Sequence, residues 1–339
     1  MNKSILAIGI AAIFLQSCGS DSDDSIVQVP QSAPVFNLSV SDAPVENAVT
    51  VVACFSQIEL KSSDNNNEKT FLIGDTLGAA DANDMCTDST GAVVANTRGI
   101  DLLSVAGMQH TDLLTGIEIN PGNYSQIRLV MNPFSYVTVD MDEDGVADDI
   151  DQDGEPDKIP LRVPSNELKL DGFTATVGAT SDLTVEFDLR KGMTNPVGQQ
   201  GYILKPRGVR IVDNSTSGHI KGTVSEILLM NNECDVAPAD INQSVANVYL
   251  YSGTALNQDQ LADNGGAESI ESVTSASVFF DGASTYNFEI GFVRSGDYTL
   301  ALTCDEDTDP EGDDELGFIA LKEATVGEKG EVTSVTFTE

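Results

Sequence analysis

Apolar and polar residues alternate with a period of two along much of this chain. In DLTVEFDL, 182–189, Leu183, Val185, Phe187 and Leu189 share one side, and Asp182, Thr184, Glu186 and Asp188 share the other. TYNFEIGF, 285–292, groups Tyr286, Phe288, Ile290 and Phe292 in the same way. DYTLALTC, 297–304, groups Tyr298, Leu300, Leu302 and Cys304. Such alternation marks strands with one buried face and one face in water. Weaker versions predict further strands near 35–41, 48–60, 124–131, 135–139, 159–163, 172–177 and 202–212. Others follow near 218–229, 246–251, 275–280 and 332–338. Helix is scarce. Only 101–116, DLLSVAGMQHTDLLTG, has apolar spacing suited to a short helix or helical turns.

Many short strands separated by Gly, Pro, Asn and Asp argue for an all-β fold built of β-sandwiches. The 339 residues are enough for two domains. DNSTSG, 213–218, is a polar break without a strand pattern and is the expected boundary. The expected domains are therefore β-sandwiches over 34–213 and 218–339. The polar segments 252–271 and 305–315 read as surface loops.

Charge changes the picture first at the level of partners. The chain carries 54 acidic against 17 basic residues, a formal net of −37. Such a surface repels nucleic-acid phosphates and favours cations or basic partners, and it also serves solubility alone. At the N-terminus, Lys3 precedes an apolar run over 5–15, too short for a membrane span and suited to a secretory signal. Leu15-Gln16-Ser17-Cys18 resembles the bacterial lipobox. The resemblance implies removal of residues 1–17, acylation of Cys18 and anchoring in a membrane. Gly19, standing where Asp would imply inner-membrane retention, implies the outer membrane of a bacterial cell envelope. Residues 18–33 read as a lipidated flexible tether.

Lipidation of Cys18 leaves Cys54, Cys86, Cys234 and Cys304. An exported chain meets oxidising conditions, so two disulfides are expected. Three pairings exist. The 86-to-234 gap spans the expected boundary, which favours Cys54–Cys86 and Cys234–Cys304. Zinc is a weaker reading, since no CxxC pair occurs and His110 and His219 are distant from most of the cysteines in sequence. The two histidines read as ordinary residues.

The sharpest chemistry is DMDEDGVADDIDQDGEPD, 140–157, with ten carboxylates and no basic residue. The spacing D-x-D-x-D-G-x-x-D occurs twice, nine residues apart. The first copy uses Asp140, Asp142, Asp144 and Asp148, with Asp151 at its twelfth position. The second uses Asp149, Asp151, Asp153 and Asp157. In an EF-hand-type calcium loop, positions one, three, five and nine supply oxygens, position six is Gly, and position seven gives a carbonyl. Val146 and Glu155 would supply those carbonyls. The twelfth residue is Asp151 in one copy and Pro160 in the other, and the flanks read as strands. The pattern is therefore closer to tandem aspartate-rich calcium repeats at the tip of a hairpin. Two like charges about 5 Å apart repel by about 3 kcal/mol at an effective dielectric of 20, and calcium reverses that sign. The later acidic run, 305–315, lacks the register because Pro310 stands where glycine is required.

FNLSVSDAPV (36–45), IEL (58–60), INPGNYSQIRL (119–129), LRVPS (161–165), DLRK (188–191) and GYILKPRGVRIVD (201–213) together resemble a bacterial lipoprotein domain family of unknown function, the DUF4382 type. The resemblance implies an immunoglobulin-like sandwich and brings no catalytic residues. GHIKGTV (218–224), ANVYLY (246–251) and GDYTLAL (296–302) are similar, more loosely, to the transthyretin-like or carboxypeptidase-regulatory-like β-domain.

No GxSxG, HExxH, P-loop or GxGxxG pattern occurs. The expected function is thus a non-enzymatic, calcium-stabilised envelope lipoprotein that binds a protein or glycan partner or supports the envelope. The alternatives are a carbohydrate-binding module and a carboxylate-based hydrolase. Absence of Trp weakens a sugar-stacking platform, and a buried carboxylate pair in a cleft would favour the enzyme.

Overall fold

The computed structural model describes residues 32–43, 45, 48–141, 146–152, 154–196, 201–305, 307, 311–312 and 316–338. The expected signal, Cys18 and most of the tether fall on Met1–Gln31, outside the described residues, as do Asp142, Asp144 and Asp153. Among the described residues no helix is long and apolar enough to cross a membrane.

The chain is mostly β, in three sheets with a few short helices. A four-stranded sheet runs in the order Val209–Asp213, Thr180–Asp188, Val35–Ala43, Thr111–Glu118. Its two central strands are parallel, with Val35 opposite Thr180 and Ala43 opposite Asp188. A nine-stranded sheet packs on it, centred on the long strand Ala48–Ser62 and its neighbour Gly122–Met131. The alternation explains the packing. Phe36, Leu38 and Val40 from one central strand and Leu183, Val185 and Phe187 from the other enter a core shared with Val51, Phe55, Ile58 and Leu129 of the larger sheet.

The third sheet has seven strands: Phe318–Val326, Gly296–Thr303, Ser244–Ser252, Thr274–Phe280, Tyr286–Arg294, Ser217–Val224 and Val332–Phe337, in spatial order. It curls into a nearly closed barrel around Ile220, Val248, Leu250, Phe288, Leu300 and Phe337. Its two edges approach each other, and Thr333 Oγ1 donates to the Thr325 carbonyl at 2.9 Å. Gly222 permits the strand beside it to carry an inward phenyl ring, because a Cβ there would overlap the ring of Phe288.

Several local expectations need correction. The 101–116 segment forms only a 3-10 turn, Leu102–Val105, capped by Asp101, and then the strand Thr111–Glu118. The strand begun at Ser217 stops at Val224, and Glu226–Asn231 is helical. The 202–212 strand is broken by a 3-10 turn at Pro206–Gly208, where proline starts the turn. Phe318–Val326 is a full strand without a period-two signal.

Cys54 pairs with Cys86 and Cys234 with Cys304, at Cα separations of 6.0 and 5.3 Å. The loops closed, 32 and 70 residues apart in sequence, correspond to about 4 kcal/mol each in the chain-entropy description.

Candidate functional site

The acidic segment joins two paired antiparallel strands, Tyr136–Val139 and Ile159–Arg162, with Tyr136 opposite Pro160. Its internal geometry repeats every nine residues. Asp148 N donates to the Val139 carbonyl at 2.8 Å, and nine residues later Asp157 N donates to the Asp148 carbonyl at 2.9 Å. The Asp148 carboxylate accepts from Met141 N at 2.8 Å, and the Asp157 carboxylate accepts from Ile150 N, the equivalent residue of the second copy. Asp157 also accepts from Asp151 N at 3.1 Å, and Asp149 from Gly154 N at 2.8 Å. Gly154, at position six, has φ +98°, where a side chain would be strained.

These bonds gather Asp149, Asp151 and Asp157 so that one carboxylate oxygen from each lies within 4.8 Å of the others. Among the described residues this is the only such acidic convergence, and it belongs to the second copy. All three are at least partly exposed, so water solvates them at little cost. The donor set is oxygen only, which suits a hard cation. Asp140 and Asp148 of the first copy stand outside the trio, and Asp148 acts as a backbone cap. Val146 and Glu155 are exposed in the same hairpin.

A second polar region was not foreseen. Part of the face of the four-stranded sheet opposite its core does not meet water: the seven-stranded sheet covers it. Thr184, Glu186 and Asp188, read as wet, are 0%, 2% and 5% exposed. The DLRK segment forms the tightest part of this seam. Arg190, 1% exposed, donates from Nη1 to Ser275 Oγ at 2.7 Å and from Nη2 to Asn247 Oδ1 and Ser277 Oγ, both at 2.8 Å. Asp188 accepts from Thr274 Oγ1 at 2.9 Å and caps Lys191 N, while Lys191 Nζ reaches the Ser272 carbonyl at 2.9 Å. Gly291 and Gly107 meet across the seam so closely that a Cβ on Gly291 would overlap the Gly107 carbonyl oxygen.

Two buried carboxylates of the four-stranded sheet, Glu186 and Asp42, are perturbed. Burial pushes the Glu186 carboxyl up to about 8, against the opposing pull of Arg210, whose Nη2 stands 3.9 Å away. Burial, reinforced by Glu186, Asp188 and Asp101, raises Asp42 well above the carboxylate range. Neither side-chain oxygen of Asp42 meets a hydrogen-bond donor.

Short parts of the segments expected as surface loops, 261–264 and Asp307, pack inward. Asp307, 5% exposed, accepts from Tyr249 Oη and Asn264 N, each at 3.1 Å. Tyr251 Oη donates to the Ala262 carbonyl at 2.7 Å. Both histidines lie at the open end of the seam, edge-on to Phe292, with centroids 5.8 Å away for His110 and 5.0 Å for His219. His219 Nδ1 accepts from Phe292 N at 3.1 Å, and burial followed by the nearby His110 lowers its pKa. Nothing in a one-dimensional pattern brings residues 110, 219 and 292 together.

Residues 34–206 match the family model described as a domain of unknown function, DUF4382. No curated protein matches the chain. A candidate cell adhesion protein from Bacteroides fragilis aligns over 90% of this chain and 91% of its own, at 8% identity and a TM-score of 0.21. A candidate cell adhesion protein from Parabacteroides distasonis aligns over 89% and 87%, at 10% identity and a TM-score of 0.17. Likeness at this level carries no argument about function.

Proposed function

We propose, for a chain that belongs to the DUF4382 family, a non-enzymatic role as a lipid-anchored cell-envelope protein whose aspartate-rich hairpin binds calcium. The nine-residue recurrence of backbone and carboxylate hydrogen bonds in that hairpin, ending in three converging aspartates, carries the reading. Asp149, Asp151 and Asp157 are the residues that would hold the ion, with Asp153 at position five of the same copy. Calcium would supply charge compensation and order, not chemistry. Magnesium fits less well because it dehydrates reluctantly and wants strict octahedral geometry. The C-terminal barrel-like sheet is taken as a transthyretin-like accessory module, and Cys18 as the acylated anchor.

The test has two arms. Calcium titrated into the full chain in detergent shifts the backbone amide signals of 146–157, and Asp149→Asn with Asp157→Asn removes the shift. Extracellular modules of this kind bind at about 10⁻⁴–10⁻³ M, so an unchanged spectrum at several times that range sinks the calcium reading. Radiolabelled palmitate incorporated into the wild type and lost in Cys18→Ser supports the anchor. Equal labelling of both rejects it.

A further inference from the structure

The seam between the sandwich and the barrel-like sheet is sealed at the Arg190 end and open at the other. The open end is a cleft of about 560 Å³, within the range of small-molecule sites. Its floor is the outer face of the four-stranded sheet. Asn37 and Ser39 lie on the strand Val35–Ala43, Asp182 is paired with Asn37 on one side, and Asp112 with Ser39 on the other. Its far wall is His219, Phe292 and Lys329 of the seven-stranded sheet and its hairpin, and His110 closes the rim.

The lining groups are held ready. Ser39 Oγ donates to Asp112 Oδ1 at 2.9 Å, which fixes that carboxylate. Asn37 Oδ1 accepts from Gly116 N at 2.8 Å, which leaves its amide Nδ2 as the group it can offer a ligand. Asn214 Oδ1 accepts from Thr184 Oγ1 at 3.0 Å, with the same consequence. His219 accepts at Nδ1, so its neutral ring carries the proton on Nε2 and offers a donor there. The cleft thus presents carboxylate acceptors on its two outer strands, Asp182 level with Asn37 and Asp112 level with Ser39, and an amide donor, Asn37, on the strand between them.

Elimination narrows the ligand. Lys329 is the single lysine or arginine of the lining, facing two aspartates, so anions are disfavoured. Met108 and Phe292 are its only large apolar residues, too few for a greasy ligand. The acidic convergence able to hold a metal lies in the hairpin, not here. We propose that this cleft binds a neutral polyhydroxylated ligand, a short oligosaccharide, through Asp112, Asn37, Asp182 and Asn214. Hydroxyls spread over such a ligand satisfy both the acceptors and the donors of this floor, and Phe292 packs on a ring face. This site is independent of the calcium hairpin.

The two histidines are the only ones in the chain, and both line the cleft, so their imidazole NMR signals report on it alone. The full chain in detergent, carrying a tag without histidine, is titrated separately with maltose, cellobiose, lactose and xylobiose, then with spermidine and inorganic phosphate. The expected result is a saturable shift of both imidazoles with at least one disaccharide. Asp182→Ala and Asp112→Ala each weaken it tenfold or more, with melting temperature and free-state imidazole shifts unchanged. Silence with every disaccharide overturns the proposal. A response to spermidine or phosphate alone does so too, as does sugar binding that both variants leave intact.

Discussion

The molecule keeps its carboxylates in two opposite ways. In the hairpin they are crowded together but wet, and the cost lies in their mutual repulsion. At the seam they are few but dry, and the cost lies in lost hydration, which lifts Glu186 to about 8 and Asp42 well above its usual range. The first arrangement invites a cation. The second favours protons, or a fixed cationic partner such as Arg210. Crowding is written in the sequence, whereas burial depends on which surface a second sheet chooses to cover.

The largest effect should come from breaking the dry side. Arg190→Ala strips three buried hydrogen-bond partners of their charged donor and should cost about 3–5 kcal/mol, read as a lower denaturant midpoint. Asn247→Ala, which removes one of those partners, should cost about 1.5–3 kcal/mol. A loss under half a kilocalorie for Arg190→Ala would show that the seam is loosely held.

The next effect is on pH dependence. The folded chain holds protons on Glu186 and Asp42 that the unfolded chain has released above its ordinary carboxylate pKa. Between about pH 4.3 and 8 the native state therefore binds more protons, and stability falls as pH rises. For Glu186 this contribution is complete below the unfolded value and lost by about 8. The slope is at most about 1.4 kcal/mol per pH unit for each proton. Glu186→Gln should flatten it in melts recorded across that window; an unaltered slope would assign the effect elsewhere.

The smallest effect sharpens the wet side. At tenfold excess over its dissociation constant, calcium should add about 1.4 kcal/mol of stability. Asp149→Asn with Asp157→Asn should abolish that gain in thermal melts while leaving the ion-free melting point nearly unchanged, since exposed acids contribute little by themselves. A fall of many degrees without calcium would mean that the hairpin carries the fold.

The sandwich core was legible because Leu183, Val185 and Phe187 alternate cleanly and face Phe55 and its neighbours. The hairpin was legible because its spacing and glycine are local. Other parts escaped for physical reasons. Phe318–Val326 strings four apolar residues together before Lys322 and Glu323, so no alternation announces it; pairing with Gly296–Thr303 makes it a strand. Thr111–Glu118 follows a real 3-10 turn, and helical spacing ran past its end. Asp182, Thr184, Glu186 and Asp188 alternate as a solvent face should, yet three of them are buried. Period two separates two faces of a strand; it does not say that the polar one stays wet. The cleft was missed for the same reason, since its residues come from strands far apart in sequence.

One pairing has a consequence for how the chain reaches this state. Val35–Ala43 lies parallel to Thr180–Asp188, so the two middle strands of the smallest sheet are separated by well over a hundred residues. During synthesis the earlier strand must wait, its inward edge bare, until the later one emerges. Pairings of such long range slow folding and expose edges that can stick to other chains. Ser39, Ser41 and Asp42 within that strand keep it from being a uniformly greasy ribbon during the wait.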